Sequence, residues 1–249
     1  MRNATLLLCG WLSVAAFGGP YQAAPTAQEI LERADRNALS GNRIAVSEMT
    51  IHGRRDSRSI TAKSWVQGED KAFTEYLAPA REKGIKMLKL GDQLWTYSPD
   101  TDRTISISGH MLRQSVMGSD LSYEDMMEDQ ALVNLYRAEV AGEETVLDRP
   151  CWILSLTSKG GDVAYDSRKV WVDKERYVLL KEERYAKSGK LLKSLEVKSV
   201  VRVQNRWVQN AMVFKDALKT GQGTEFKIQT IEFDAAIPDY IFSKASLRK

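Results

Sequence analysis

The side chains that most often perform catalysis are scarce in this sequence. It contains two histidines, His52 and His110, and two cysteines, Cys9 and Cys151. None of them falls at the H-x-x-x-H or C-x-x-C spacing of a metal site. The segment GSDL at residues 118–121 breaks the G-x-S-x-G pattern of a nucleophile elbow. The sequence therefore predicts a protein that is not an enzyme and that carries neither a metal nor another cofactor.

Acidic residues are concentrated between residues 120 and 129. Asp120, Glu124, Asp125, Glu128 and Asp129 lie there, which raises the question of a cation site. Their spacing is that of a helix, however, and the loop ligands that a calcium site requires are missing. We therefore interpret the cluster as the solvated face of a helix.

Flexible apolar side chains are concentrated in the same region. Four of the eight methionines lie between residues 111 and 127. Methionine adapts to irregular spaces, so this stretch fits a wall for alkyl chains of variable shape, and ordinary core packing would explain it equally well. The predicted lipid-binding residues of this segment are Met111, Leu112, Val116, Met117, Leu121, Met126 and Met127.

Large apolar side chains of the predicted strands form a second group of candidates. Successive side chains of a strand point to opposite faces, so about half of them face any one side. The sequence does not indicate which side is concave. The candidates for the lipid-binding face are Trp65, Phe73, Met87, Trp95 and Tyr97.

The elements that must position these side chains are mostly strands. Thr26 and Glu29 form a capping-box pattern that predicts a helix over 26–39, which ends before Gly41. Apolar and polar residues then alternate in short runs separated by turn residues, which predicts strands. These are 43–52, 59–67, 71–77, 84–90, 93–97, 103–108, 136–147, 151–158, 168–173, 177–186, 191–203, 207–215, 224–234 and a last one at 237–242 that Pro238 ends.

Such a series of strands predicts one antiparallel sheet in an α+β fold. A sheet of this length must curl because strands twist, either closing into a barrel or leaving an apolar concave face. Residues 109–130 are rich in methionine, serine and acids and poor in β-branched residues. We expect them to form short helices that lie on the sheet as a cover.

The amino terminus has the pattern of a secretory signal peptide. Arg2 precedes an apolar run over 5–16, and small residues follow. That run is shorter than the roughly 20 residues that a membrane-spanning helix needs. We expect residues 1–23 to be removed and residues 24–249 to form a single periplasmic domain. Cys151 would then be the one cysteine left, without an intramolecular disulfide partner.

The charge of the chain is balanced. The 249 residues include 36 basic and 33 acidic ones, a net charge of +3, whereas nucleic-acid binders carry a concentrated basic surface. The densest basic group, Arg54, Arg55 and Arg58, has the neighbours of a hairpin tip. The sequence therefore argues against a nucleic-acid partner.

Four strings resemble a known family. The sequence MGSDLSYEDMM at residues 117–127 is similar to the signature of the bacterial outer membrane lipoprotein-sorting proteins, the LolA-like group. GDQLWTYSP at 91–99, KVWVD at 169–173 and IPDYIFS at 237–243 agree with it, in this order. The resemblance covers nearly the whole chain from residue 24 onward.

The resemblance implies a strongly curved, incomplete half-barrel whose α-helical lid, about residues 109–130, covers an apolar cavity. It implies a carrier of lipid or lipoprotein acyl chains between the inner and outer membranes, with an inner-membrane transporter as partner and transient contact with a membrane surface. We expect a monomer. The family also has an arginine that latches the lid, for which Arg103 and Arg113 are candidates here. An envelope lipid sensor or an adaptor for an inner-membrane transport system is the alternative.

Overall fold

The computed structural model describes residues 24–38, 41–53, 56–128, 130–161 and 163–249. The predicted signal peptide lies outside the described residues, as do Arg54 and Arg55 of the predicted hairpin tip and Asp129 of the acidic cluster. In the described ranges, no helix has the length and hydrophobicity needed to cross a bilayer.

Thirteen antiparallel strands of the described residues form a single sheet. They are β1 (Arg43–His52), β2 (Ser57–Gln67), β3 (Lys71–Ala78), β4 (Lys86–Leu90), β5 (Gln93–Ser98), β6 (Arg103–Ile107), β7 (Tyr136–Val146), β8 (Arg149–Ser158), β9 (Ser167–Asp173), β10 (Leu179–Tyr185), β11 (Leu191–Val203), β12 (Arg206–Asp216) and β13 (Thr224–Phe233). Their order in the sheet is β6-β5-β4-β3-β2-β1-β13-β12-β11-β10-β9-β8-β7. The first and last strands therefore meet in the centre, and β6 and β7 form the two edges.

The sheet curves because its strands twist and carry β-bulges. The pairing register shifts between Val46 and Ser47 in β1 and between Val140 and Gly142 in β7. The extra residue of a bulge bends its strand and increases the twist. Within the described residues the edge strands do not pair with each other, so the barrel stays incomplete. The predicted α+β half-barrel is thus confirmed.

One helix, α1 (Ala27–Ala38), covers part of the concave face. The predicted capping box is present, since the carboxylate of Glu29 accepts a hydrogen bond from the amide of Thr26 at 2.8 Å. The apolar side of α1 packs on β7, β8 and β9. The buried residues of this contact are Ile30, Leu31, Ala34, Tyr136, Leu154, Leu156, Val170 and Val172.

The connection between β6 and β7 covers another part of the same face. It contains two 3-10 helices, Gly109–Arg113 and Val116–Gly118, followed by α2 (Tyr123–Met127) and α3 (Leu132–Leu135). Ser122 caps α2 with a hydroxyl that accepts a hydrogen bond from the backbone of the third helical residue. The predicted short helices on the sheet are therefore present, and residues 109–130 are called the lid below.

The carboxyl-terminal segment covers part of the opposite, convex face, at β3, β4 and β5. The predicted last strand at 237–242 is instead a 3-10 helix, Asp239–Phe242, followed by a second one, Lys244–Arg248. Pro238 has no amide proton to donate to a neighbouring strand, so the chain leaves the sheet there. Leu247 is fully buried against β3, β4 and β5.

Candidate functional site

An apolar cavity of about 270 Å³ lies between the concave face of the sheet and the lid. Strands β1, β2, β3, β12 and β13 form its wall. The large side chains of this wall include Met49, Ile60, Tyr76, Met212, Phe214 and Phe226. A space lined in this way favours hydrocarbon over water, because apolar cavities of this size provide few hydrogen-bond partners.

Small side chains make room for the cavity. Ala62 and Ser64 of β2 line it together with Ala72 and Thr74 of β3. Ser64 lies opposite Thr74 in the pairing of these strands. Alternate residues of a strand share a face, so these small residues together leave space between the larger ones. These four residues are not among the candidates predicted from the sequence. The pattern that could have indicated them is a small residue at every second position of two neighbouring strands.

The predicted lipid-binding residues of the lid line the cavity or pack beside it, and Met126 is also 36% exposed to solvent. Those that line the cavity are Val116, Leu121 and Met126. Those that pack in an apolar cluster beside it, together with Met87 of β4, are Met111, Leu112, Met117 and Met127. The lid therefore meets the sheet through its methionine-rich stretch.

The aromatic candidates from the strands lie elsewhere. Trp65, Phe73, Trp95 and Tyr97 pack on the convex face with the carboxyl-terminal segment. Trp65 and Phe73 meet edge to face, with ring centroids 5.7 Å apart. They alternate with the cavity-lining residues Ser64 and Ala72 and so point to the other side. The structure thus does not bring these four side chains to the cavity.

Buried charges fasten the lid to the sheet. Arg168 in β9, Arg184 in β10 and Lys193 in β11 lie side by side across these strands. Asp125 of α2 accepts a hydrogen bond from Arg184 Nη1 at 3.0 Å and also contacts Lys193 Nζ. Glu128, directly after α2, pairs with Arg184 at 3.2 Å and with Arg168. Two lid carboxylates therefore meet three cations of the concave face.

Glu182 of β10 positions the two arginines. Its two oxygens accept hydrogen bonds from Arg168 Nη1 at 2.7 Å and from Arg184 Nη2 at 2.9 Å. Burial raises the pKa of Asp125, but the charges of Arg184 and Lys193 outweigh it and lower this pKa to about 2. Burial is likewise outweighed at Glu182, whose pKa is lowered by the two arginines. Both carboxylates are therefore ionised at neutral pH.

This network corrects the interpretation of the acidic cluster as a solvated face. The side chains of Asp125 and Glu128 are only 1% and 16% exposed. Asp120 is also engaged: its carboxylate accepts hydrogen bonds from Thr224 Oγ1 at 2.7 Å and from the Asp216 amide at 3.0 Å. The partners lie far along the chain, so no local pattern indicated them.

The arginines that hold the lid also differ from the two candidates. Arg103 and Arg113 are both exposed. The lid is contacted instead by Arg168 and Arg184, and by Arg58, which donates a hydrogen bond to the Met117 carbonyl.

Solved structures share this architecture. A DUF1329 family protein from Desulfovibrio piger has a TM-score of 0.80 and 24% identity, over 89% of this chain and 97% of that one. A LolA superfamily protein from Nitrosomonas europaea has a TM-score of 0.73 and 24% identity, over 90% of this chain and 100% of that one. A putative outer membrane lipoprotein-sorting protein domain from Vibrio parahaemolyticus has a TM-score of 0.77 and 26% identity, over 90% of this chain and 98% of that one.

Sequence comparison agrees over most of the chain. A family model described as "uncharacterized protein"-like matches residues 68–249. The chain belongs to the LolA-like family. The resemblance seen in the four sequence strings is thereby confirmed. No curated protein matches the chain.

A second, smaller cavity adjoins the first in this LolA-like fold. It measures about 180 Å³ and lies between the end of α1 and strands β12 and β13. Arg43 and Met212 line both spaces. Neither cavity alone reaches the roughly 300 Å³ of a typical small-molecule site, whereas the two together do.

In this LolA-like fold, the segment that directly follows the lid is joined to α1. The carboxylate of Asp35 accepts a hydrogen bond from the Val133 amide in α3 at 2.8 Å. Burial raises the pKa of Asp35 to about 6, against the opposing effect of backbone hydrogen bonds from Val133 and Leu132. A titratable group thus joins the first helix to the end of the segment that contains the lid.

The histidines and the cysteine of the described residues do not lie together in one site. His52 lies 2.9 Å from Ser57 Oγ on the β1–β2 hairpin, and His110 is exposed on the lid. Cys151 is buried, and burial raises the pKa of its thiol to about 11. No group of three or more His, Cys, Asp or Glu in the described ranges is placed to hold a metal ion.

Proposed function

We propose that this LolA-like protein is a non-enzymatic periplasmic carrier. It binds the acyl chains of a lipid or lipoprotein beneath the lid and moves this cargo between the inner and outer membranes. The observation that carries the proposal is an apolar cavity of about 270 Å³ that is closed by a lid with polar fastenings.

The hydrophobic effect supplies the binding energy in this proposal. Each buried methylene contributes about 0.8 kcal/mol, so a chain of about fourteen carbons gains roughly 10 kcal/mol before the cost of ordering it. The flexible thioethers of Met49, Met126 and Met212 at the cavity wall suit chains that differ in shape. No covalent step is required.

The fastening of the lid suits reversible opening. Side-chain hydrogen bonds and ion pairs join Asp120, Asp125 and Glu128 to the strands. Their release breaks no hydrogen bond of the sheet itself. A lid of this kind can open and close while the half-barrel stays folded.

The location and partners of the carrier belong to the same proposal. The signal peptide predicted at residues 1–23 supports secretion to the periplasm, as do relatives named for lipoprotein sorting. An inner-membrane transporter would load or unload the carrier during transient contact with the membrane surface. The protein would act as a monomer.

Native mass spectrometry with organic extraction tests the proposal directly. Protein is purified from the periplasm without detergent, and the bound lipid is identified and counted. We expect close to one acylated molecule per chain. An empty protein that also takes up no added lipid would contradict the carrier and favour the envelope sensor or adaptor.

A cavity-filling substitution tests the site. Ser64→Phe adds a ring to the cavity wall and should lower lipid uptake at least tenfold, because the ring occupies the space of the acyl chain. Ser194→Phe is the matched control, since Ser194 alternates with Lys193 and Leu195 and faces the convex side. Uptake is measured with a fluorescent fatty acid. Equal loss in both variants, or in neither, would exclude this cavity as the site.

A further inference from the structure

The concave face carries more positive than negative charge of its own. Arg168, Arg184 and Lys193 contribute three cations, and Glu182 contributes one carboxylate. The compensating charges, Asp125 and Glu128, come from the lid. When the lid moves away, two positive charges on this face lose their partners.

While the lid is closed, these cations have little contact with water. The side chains of Arg168, Arg184 and Lys193 are 1%, 12% and 16% exposed. Buried charges without a partner are unfavourable. An open lid therefore leaves three neighbouring cations and one carboxylate, an arrangement that attracts another anion to the same place.

One of the cations also has a hydrogen-bond donor that is not used. The Nε atom of Arg168 is buried and has no hydrogen-bond partner. Guanidinium groups bind carboxylate and phosphate through paired N–H donors. Arg168, Arg184 and Lys193 together form a donor set of the kind that holds such an oxyanion.

The cationic group adjoins the apolar cavity. Phe214 lines the cavity, and its cross-strand neighbour in β11 is Leu195, two residues from Lys193. On the lid side, α2 directs Met126 into the cavity and the adjacent Asp125 onto the cations. A single amphiphile can therefore place its chain in the cavity and its polar end at Arg184 and Lys193.

We propose that Arg168, Arg184 and Lys193 form the binding site for the anionic headgroup of the cargo, and that the lid carboxylates Asp125 and Glu128 occupy this site when no cargo is bound. The inference rests on the proposed carrier function and names its substrate class as an acylated molecule with a phosphate or carboxylate group. Cargo and lid then compete for the same cations, so binding of the headgroup itself releases the lid.

Lipids with the same acyl chains but different headgroups test this site. Binding of phosphatidylglycerol and phosphatidylcholine is compared in detergent-free transfer from vesicles, and palmitate provides the carboxylate arm. We expect phosphatidylglycerol to bind at least tenfold more tightly than phosphatidylcholine. Tight binding of palmitate, with no such difference between the phospholipids, would assign the site to a carboxylate.

Lys193→Gln should lower the affinity for phosphatidylglycerol several-fold more than the affinity for phosphatidylcholine, because only the anionic headgroup needs the lysine charge. Lys198→Gln, a more exposed lysine of the same strand that pairs with Glu196, is the control and should change nothing. Equal affinity for all three lipids, or a preference that survives Lys193→Gln, would overturn the headgroup site while leaving the carrier intact. Absence of all lipid binding would overturn both proposals.

Glu128→Gln provides a test that does not depend on the lysine variant. Removal of one lid carboxylate should open the site to inorganic phosphate, which should then raise the melting temperature by a few degrees over chloride at equal ionic strength. Glu124→Gln, in the adjacent helix α2, is the control. Identical responses in the two variants would contradict competition between the lid and an anion.

Discussion

At the scale of single residues, burial decides what the charged groups of this LolA-like protein do. Asp125 and Asp35 belong to the same residue type, yet their environments move their pKa values in opposite directions. Neighbouring cations lower the pKa of Asp125 to about 2 despite its burial. Asp35 is buried beside Glu69, and its pKa is raised to about 6. Asp125 therefore holds the lid as a stable anion, whereas Asp35 titrates near pH 6.

Asp35 gives a pH dependence of known sign. Its pKa is higher in the folded than in the unfolded state, so the folded protein binds the proton more tightly and loses stability as pH rises from about 4 to about 6. Asp35→Asn keeps an acceptor oxygen and removes the charge. The stability of this variant relative to the natural protein should therefore increase over that interval and level off above pH 6.

Urea unfolding at a series of pH values between 4 and 8 measures this difference. Glu32→Gln, an acid of the same helix, is the control. A stability difference for Asp35→Asn that does not vary between pH 4 and 7 would show that burial of this carboxyl does not affect its titration.

At the scale of elements, the lid is a segment whose contacts with the sheet are of two kinds. Apolar side chains face the cavity and the cluster around Met87. Around them, polar contacts join Asp120 to Thr224 and Asp125 to the cations of β10 and β11. Such a lid can close over the sheet when no cargo is bound. When an acyl chain enters, the apolar side chains of the lid contact the chain in place of the sheet.

A disulfide across the lid edge tests whether opening is required. The Thr224 hydroxyl lies 3.0 Å from the Asp120 amide, which places Asp120→Cys and Thr224→Cys within reach of each other. Lipid uptake by the delipidated, oxidised double variant should fall at least tenfold and return on reduction. The buried Cys151, whose pKa is raised, should not compete for the bond.

The reduced form of the same double variant is the internal control, because it carries both substitutions without the cross-link. Uptake at the same rate in the oxidised and reduced states would rule out gating by the lid.

At the scale of the whole molecule, the two faces of one sheet have separate tasks. The carboxyl-terminal segment, in which Leu247 is fully buried, packs on the part of the convex face formed by β3, β4 and β5. The concave face keeps a cavity and a cover that is fastened by polar groups. Stability and binding therefore depend on different sets of side chains, although both sets alternate along the same strands.

Trp95→Ala separates these two tasks. Trp95 is 8% exposed and packs on the convex face, so its truncation should lower the free energy of unfolding by about 3–5 kcal/mol. The relative affinities for different lipids should stay unchanged, because the cavity lies on the other side. Chemical denaturation and the vesicle transfer assay measure the two effects. A changed lipid preference would place Trp95 in the binding site after all.

The sequence by itself determined the thirteen strands of the sheet, the first helix and the position of the lid, although it also predicted a strand at 237–242 that is a 3-10 helix. Thr26 with Glu29 marked a helix start, and Ser122 with Asp125 marked another, because capping depends on residues three apart. Alternation in the strands and the family strings then indicated a half-barrel with a methionine-rich cover. Val116, Leu121 and Met126 were identified as candidates in this way and line the cavity.

The tertiary structure alone decided which side of the sheet is concave and which charges meet. Period-two alternation assigns Ser64 and Trp65 to opposite faces but does not say which face is covered by the lid. The structure places Ser64 at the cavity and Trp65 with the carboxyl-terminal segment on the other face. Asp125 meets Arg184 and Lys193 59 and 68 residues later in the chain. Local patterns encode local geometry, whereas the curl of thirteen strands brings these residues together only after the whole sheet has formed.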